Sequence, residues 1–259
     1  MLSRYGLRFA ALSYLTLLLV LPVAMVFRRA FENGVGAAWD AVTTPEAKHA
    51  FLITIVIALI AVPANTIFGI ACAIAIVRHR FPGKGLVNAI VDLPLALSPI
   101  VVGLSFLLLF GTGGWFAGVP FEVLFALPAM VLATIFVSLP FVVREVVPVL
   151  REIGTEQEQA ASTLGASSWQ TFRRVTLPAI RWAVAYGVVL TTARALGEFG
   201  AVSVVSGRIV GKTDTLTLHV EERFQSFDYV GAYAASVVLA LLAIATLVAM
   251  SVFKPKEGR

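Results

Sequence analysis

The chain has 259 residues, 59% of them hydrophobic and 14% charged, with a mean hydropathy of +0.90; a soluble globular domain carries about 25% charged residues, so an aqueous fold is excluded. The formal charge of +5 and pI near 9.7 would suit nucleic acid, but the basic residues are scattered between apolar blocks, which speaks against that partner. Cys72 is the single cysteine and lies in an apolar run, so no disulfide can close within the chain.

Hydropathy marks six stretches, at about 9–27, 50–77, 89–110, 122–143, 183–205 and 230–252, each near or above the ~20 residues that cross about 30 Å of hydrocarbon. The expected fold is an all-α polytopic membrane protein of about six transmembrane helices. It forms one domain over 1–259 with its core at about 50–252 and the lipid bilayer as its surroundings. The first stretch follows Arg4 and Arg8 as in a signal peptide. Its apolar run exceeds the roughly 7–15 residues of such a peptide, and Val23-Ala24-Met25 is a poor cleavage site, so it reads as a retained helix.

Pro63 with Asn65 is expected to interrupt the second span, and Asp92-Leu93-Pro94 with Ser98-Pro99 the start of the third. Proline removes a donor and frees a carbonyl, tolerable in lipid only where protein, hydroxyls or water supply a partner. A packing kink is the plainer reading of any single proline. The paired prolines beside Ser98, Gly103 and Ser105 also suit a polar pathway, which makes Ser98 and Ser105 candidates to line it.

With a cytoplasmic amino terminus, thirteen basic residues fall inside: Arg4, Arg8, Arg78, Arg80, Lys84, Arg144, Arg151, Arg173, Arg174, Arg181, Lys254, Lys256 and Arg259. Six fall outside, Arg28, Arg29, Lys48, Arg208, Lys212 and Arg223, with Arg194 in a span. This asymmetry places both termini in the cytoplasm, together with the longest polar passage, 155–178. There Thr155 and Glu158 have capping-box spacing, Gly165 offers a left-handed helix end, Ser167 and Gln170 repeat the box, and Pro178 is expected to interrupt the second helix. A first helix of about nine residues is marginal alone, because isolated helices under roughly 12–15 residues do not hold in water. It needs a partner, and Glu158, Gln159, Ala160, Ala161, Leu164 and Gly165 are the candidate contacts.

In the fifth span, Arg194 and Glu198 are one turn apart and can pair. An arginine near mid-span costs about 2.5–3.5 kcal/mol, so both should face inward, either as a structural pair or, with Ser203, as part of a pathway; Gly197 and Gly200 would allow close helix approach. Ser206 to Thr213 misses a phosphate loop by its first glycine and follows a helix, so no nucleotide site is expected on this chain. His49, His79 and His219 read as solvated loop histidines without metal-ligand spacing, and Trp39, Trp115 and Phe116 as an interfacial belt. The mixed charges at 206–229 suit a docking surface or any exposed loop.

Ala160-Ala161-x-x-x-Gly165, nine residues, then Val175-x-Leu177-Pro178 resembles the EAA loop of ABC-importer permeases, with Gln159 at the glutamate position and Glu158 displaced by one. The run from Ala193 to Gly207, VDLPLALSPIVVG at 91–103, LPFVVREVVPVL at 139–150 and GKTDTLTLHVE at 211–221 are similar to the oxyanion group, most of all sulfate/thiosulfate permeases of W type. The resemblance implies a type I importer permease with a MetI-like fold in a bacterial inner membrane. It further implies a related second permease subunit, two copies of an ATP-binding subunit docked on the loops, and an extracytoplasmic sulfate-binding protein. ATP and Mg would be bound by the ATPase, with no cofactor, metal or catalytic residue on this chain. Molybdate or tungstate import is the alternative. Two further rivals are an ion-coupled transporter using Arg194 and Glu198, and an intramembrane enzyme built on Asp92, Glu198 and Ser203.

Overall fold

A computed structural model describes residues 2–253, with side chains described from 6 to 249. Of the basic residues counted above, Arg4, Lys254, Lys256 and Arg259 therefore lie outside the described side chains. The described residues fold mainly into helices, and five helices are long and apolar enough to cross a membrane, or six when one bent pair is taken as a span.

The first span comprises α1 (Leu2–Leu15), a π turn (Thr16–Val20) and α2 (Leu21–Ala30). Its side chains from Gly6 to Met25 are exposed, and only its far end packs, where α2 meets α14 (Tyr229–Phe253). A short α3 (Gly34–Val42) leads to α4 (Pro45–Arg78). The side chain of Thr44 caps α4 by accepting from the Ala47 N–H at 3.2 Å, with Pro45 at the first position, where a missing donor costs nothing.

The expected interruption at Pro63 does not occur: α4 is continuous for 34 residues. One proline removes one helical hydrogen bond, and packing on both sides carries the helix through. The first of its neighbours, α7 (Leu127–Ser138), receives two bonds from the buried Asn65, whose Nδ2 donates to the Ile135 carbonyl at 3.0 Å and to Ser138 Oγ at 2.8 Å. Asn65 thus clamps two helices and does not open a gap.

The third span does break. α5 (Lys84–Ala96) and α6 (Pro99–Phe110) meet at 112°, because Pro99 disfavours helical geometry at Ser98, whose ψ is 134°. Asp92-Leu93-Pro94 does not contribute to the break, since Pro94 lies inside α5. The fourth is displaced from the expected 122–143. It begins at Leu127 and runs through α7 and α8 (Pro140–Glu152), while 122–126 remain non-helical.

After α9 (Glu156–Thr163), helix resumes at α10 (Ser168–Thr171), passes through a π turn (Phe172–Thr176) and continues as α11 (Leu177–Leu196). Pro178 therefore interrupts nothing. It lies in the first turn after the π segment, where the Leu177 N–H bonds back to the Phe172 carbonyl. The expected fifth span at 183–205 is also corrected. α11 stops at Leu196, and α12 (Gly200–Val205) is a separate short helix, so Arg194 stands in a last turn. The 206–229 passage is not a plain loop, since it contains α13 (Leu216–Gln225), tied to α4 by the Leu216 N–H donating to Thr54 Oγ1 at 2.9 Å.

Small residues set how closely the helices pack. A Cβ on Gly69 of α4 would come within 2.7 Å of Val142 on α8, and one on Gly187 of α11 within 2.9 Å of the Val142 Cα. Val142 is thus seated between two glycines, and Ala73, Ile76, Val146, Leu150 and Ile180 extend this core toward the α9 end. A second core of Ile57, Met130, Val137, Val202 and Leu218 lies around α7 and α12. Helices in lipid gain by close packing and not by leaving water, which is why glycine, alanine and valine dominate these contacts.

Candidate functional site

At one end of the bundle the 155–178 passage folds as two helices around a left-handed turn. Gly165 has φ +83°, its N–H donates to the Ser162 carbonyl at 3.0 Å, and the Ala166 N–H donates to the Ala161 carbonyl at 3.1 Å. These two bonds form a Schellman end to α9. Ser167 and Gln170 form the expected capping box at 3.3 and 2.9 Å. Trp169 and Phe172, on the second helix, have ring centroids 5.5 Å apart.

The first capping box is absent. Thr155 makes no side-chain cap, and Glu158 turns into the chain, its Oε2 lying 2.8 Å from Arg78 Nε and its Oε1 accepting from Thr176 Oγ1 at 2.8 Å. A full opposite charge in a partly buried place attracts the carboxylate more strongly than a single backbone N–H at the cap does, so the guanidinium wins it. Arg78 also donates from Nη1 to the Leu150 carbonyl at 2.9 Å and from Nη2 to the Gly154 carbonyl at 2.6 Å. One guanidinium therefore joins the ends of α4 and α8 to α9, and through Glu158 and Thr176 to the π turn. Sequence reasoning placed Arg78 only among topological charges, because 80 residues separate it from Glu158 and no spacing rule reaches that far.

The rest of α9 faces away. It has no buried residue, Leu164 is 88% exposed, and Gln159 donates only to Thr155 Oγ1, at 3.1 Å. Gln157, Ala160, Ala161 and Leu164 border an open groove closed on its other side by Arg174 and Val175.

Toward the other end, Arg194 Nη1 lies 2.8 Å from Glu198 Oε2, as expected. The remaining oxygen of Glu198 accepts from the Ala201 N–H at 2.9 Å, and its carbonyl accepts from Thr217 Oγ1 at 2.8 Å. Buried Glu198 thus holds the starts of α12 and α13 against the end of α11. Ser203 is on α12 with its hydroxyl donating to the Gly200 carbonyl at 2.9 Å, and Ser105 is exposed, donating to Val101 on its own helix at 2.9 Å. Ser98 stands exposed at the 112° corner. That corner reaches the Arg194–Glu198 region through Gly200, where a Cβ would meet Pro99 at 2.8 Å; Gly197 faces no other helix, so only one of the two expected approaches forms. Gly103 adds another, against Ala201 and Val204.

His219 is not solvated. It is buried in α13 with Nδ1 3.2 Å from Asp214 Oδ2, and Glu222 completes a group whose ligand atoms lie within 4.8 Å of one another, which linear spacing did not reveal. The charges of 206–229 are largely spent within the chain, Arg208 on Glu221 at 3.1 Å and Arg223 on Asp228 at 3.3 Å. A further pair went unnoticed in the sequence. Arg144 of α8 donates from Nε to Asp92 Oδ1 of α5 at 2.6 Å and from Nη2 to Asp92 Oδ2.

Residues 65–258 match the family described as binding-protein-dependent transport system inner membrane component. Over 98% of this chain and 94% of the relative, the sequence is 50% identical to the sulfate transport system permease protein CysW of Synechocystis sp.. It is 37% identical to the sulfate transport system permease protein CysT of Escherichia coli K12, over 96% and 91%. In fold it is similar to a chain of a bacterial ABC transporter involved in the import of the acidic polysaccharide alginate. The TM-score is 0.78 at 17% identity, covering 96% and 92% of the two chains.

Proposed function

Because the chain belongs to the family of binding-protein-dependent transport system inner membrane components, we propose that it is the membrane-spanning permease subunit of an ATP-driven importer whose cargo is sulfate or thiosulfate. The observation that carries the mechanism is α9, eight residues with none buried, closed by the Gly165 turn and presenting Ala160, Ala161 and exposed Leu164 on an open groove. A helix so short gains its order from what it docks into. That partner is an ATPase subunit on the cytoplasmic side, which holds ATP and Mg and does the hydrolysis; two copies serve two permease chains. The second permease is a related chain, as the likeness to both a CysW and a CysT suggests, and a binding protein delivers the anion from outside. Both termini are cytoplasmic on this reading.

In this mechanism the ATPases close and carry α9 with them. Glu158 does not face the ATPase; it ties α9 to Arg78 and the π turn, so displacement of the helix is passed to α4, α8 and α11. The docking contacts then fall to Gln157, Gln159, Ala160, Ala161 and Leu164. Reconstitution of the complex with its binding protein tests the cargo: sulfate should stimulate ATP hydrolysis and accumulate, and molybdate should not. Equal stimulation by molybdate, or uptake by the lone chain on an ion gradient, would refute the reading.

A further inference from the structure

Arg144 lies within the apolar span of α7 and α8, and Asp92 on the first arm of the bent α5–α6 pair; the two bridge α8 and α5, yet their side chains are 41% and 45% exposed. Charges at such positions do not face lipid without large cost, so this side of α5 and α8 borders water or another subunit. Their depth follows from the packing. Val142 on α8 touches Gly187 on α11, and the two helices run in opposite directions from the α9 end. Arg144 is two residues from that contact toward α9, and Arg194 seven residues from it the other way. At about 1.5 Å per residue the two arginines are roughly 13 Å apart along the bundle. Each has one carboxylate.

Resting on the oxyanion-import reading above, we propose that Arg144 is an anion-binding station on the cytoplasmic half of the pathway, occupied in the empty protein by Asp92 as an exchangeable internal ligand. The Nε and Nη2 edge of a guanidinium binds a carboxylate or a tetrahedral oxyanion in the same two-point geometry. Arg144 already presents that edge to Asp92, and among the described residues its Nη1 has no hydrogen-bond partner. Asp92 sits on the half-helix that ends at the Leu97–Ser98 corner, so α5 can swing about a non-helical joint and give up the guanidinium. Once the dianion is bound, the nearby Asp92 carboxylate repels it. The station therefore keeps its charge neutral when empty and its affinity low when filled, as a conduit requires.

The test uses the full complex in proteoliposomes for turnover, and the purified complex without binding protein for retention of labelled sulfate. Asp92→Asn should raise retention and lower turnover, each on the order of tenfold, since it removes the competing charge from a charge-assisted site. Arg144→Gln should abolish retention, and Arg144→Lys, which keeps the charge but loses the two-point edge, should lower turnover. A mere strut would not move retention and turnover in opposite directions. Unchanged retention in Asp92→Asn, or wild-type turnover in the neutral double variant Asp92→Asn with Arg144→Gln, overturns the proposal. Should Asp92→Asn fail to assemble, wild-type turnover in Arg144→Lys overturns it. If the wild-type complex moves no oxyanion with ATP, the import reading itself has failed.

Discussion

Gly165 has open space where a Cβ would go, so the cost of a larger residue there is purely conformational. A β-branched side chain at φ +83° meets the left-handed penalty of about 1–2 kcal/mol, which an unburied eight-residue helix cannot absorb. Gly165→Val should therefore leave membrane insertion and expression intact while uptake falls and ATP hydrolysis becomes independent of the anion. Normal uptake in that variant would remove α9 from the mechanism. This glycine was legible in the sequence because turn chemistry is local. Glu158 was misread for the opposite reason: its spacing to Thr155 satisfied a local rule, but a guanidinium 80 residues away offered a stronger contact. His219 was likewise missed, since the burial that pairs it with Asp214 comes from α13 folding onto α4.

At the scale of elements, hydropathy located the long spans, while their ends and breaks followed tertiary packing. Pro63 passes inside a continuous helix, yet at Pro99 the chain turns through a 112° corner; both were expected to interrupt their spans, and only the second does. The π turn at 172–176 is the other feature that no apolar period marks. Four elements meet at Arg78, which makes it the sharpest probe of how motion is relayed between them. Arg78→Ala would strand the Glu158 carboxylate. The loss should be somewhat below the roughly 3–5 kcal/mol of a fully buried broken pair, because Glu158 keeps 20% exposure. We expect that variant to assemble with its ATPase but to transport several-fold less per ATP hydrolysed, measured as the ratio of sulfate uptake to phosphate release. An unchanged ratio would show that α9 relays its movement by another route.

For the whole molecule, the proposed orientation rests on the excess of basic residues counted on the α9 side, of which Arg144 falls inside the span of α7 and α8 and not in a loop. The chain has one native cysteine, Cys72, so a clean reporter is simple to build. In a Cys72→Ser background, Leu164→Cys should react with a membrane-impermeant maleimide only after the cells are opened, and should be shielded when the ATPase is bound. Labelling of intact cells would invert the topology and end the coupling proposal.

The seating of Val142 between Gly69 and Gly187 bears on where a gate can be. With Val142 of α8 pressed against Gly69 of α4 and Gly187 of α11, these three helices have little room to slide past one another. A gate is then expected at the margins of these three helices, above all at the jointed arm of α5 and α6. A single methyl group added at Gly187 would stand 2.9 Å from the Val142 Cα and wedge α8 away from α11, so it would loosen the three-helix packing itself and lower stability, without touching cargo, fuel or lever.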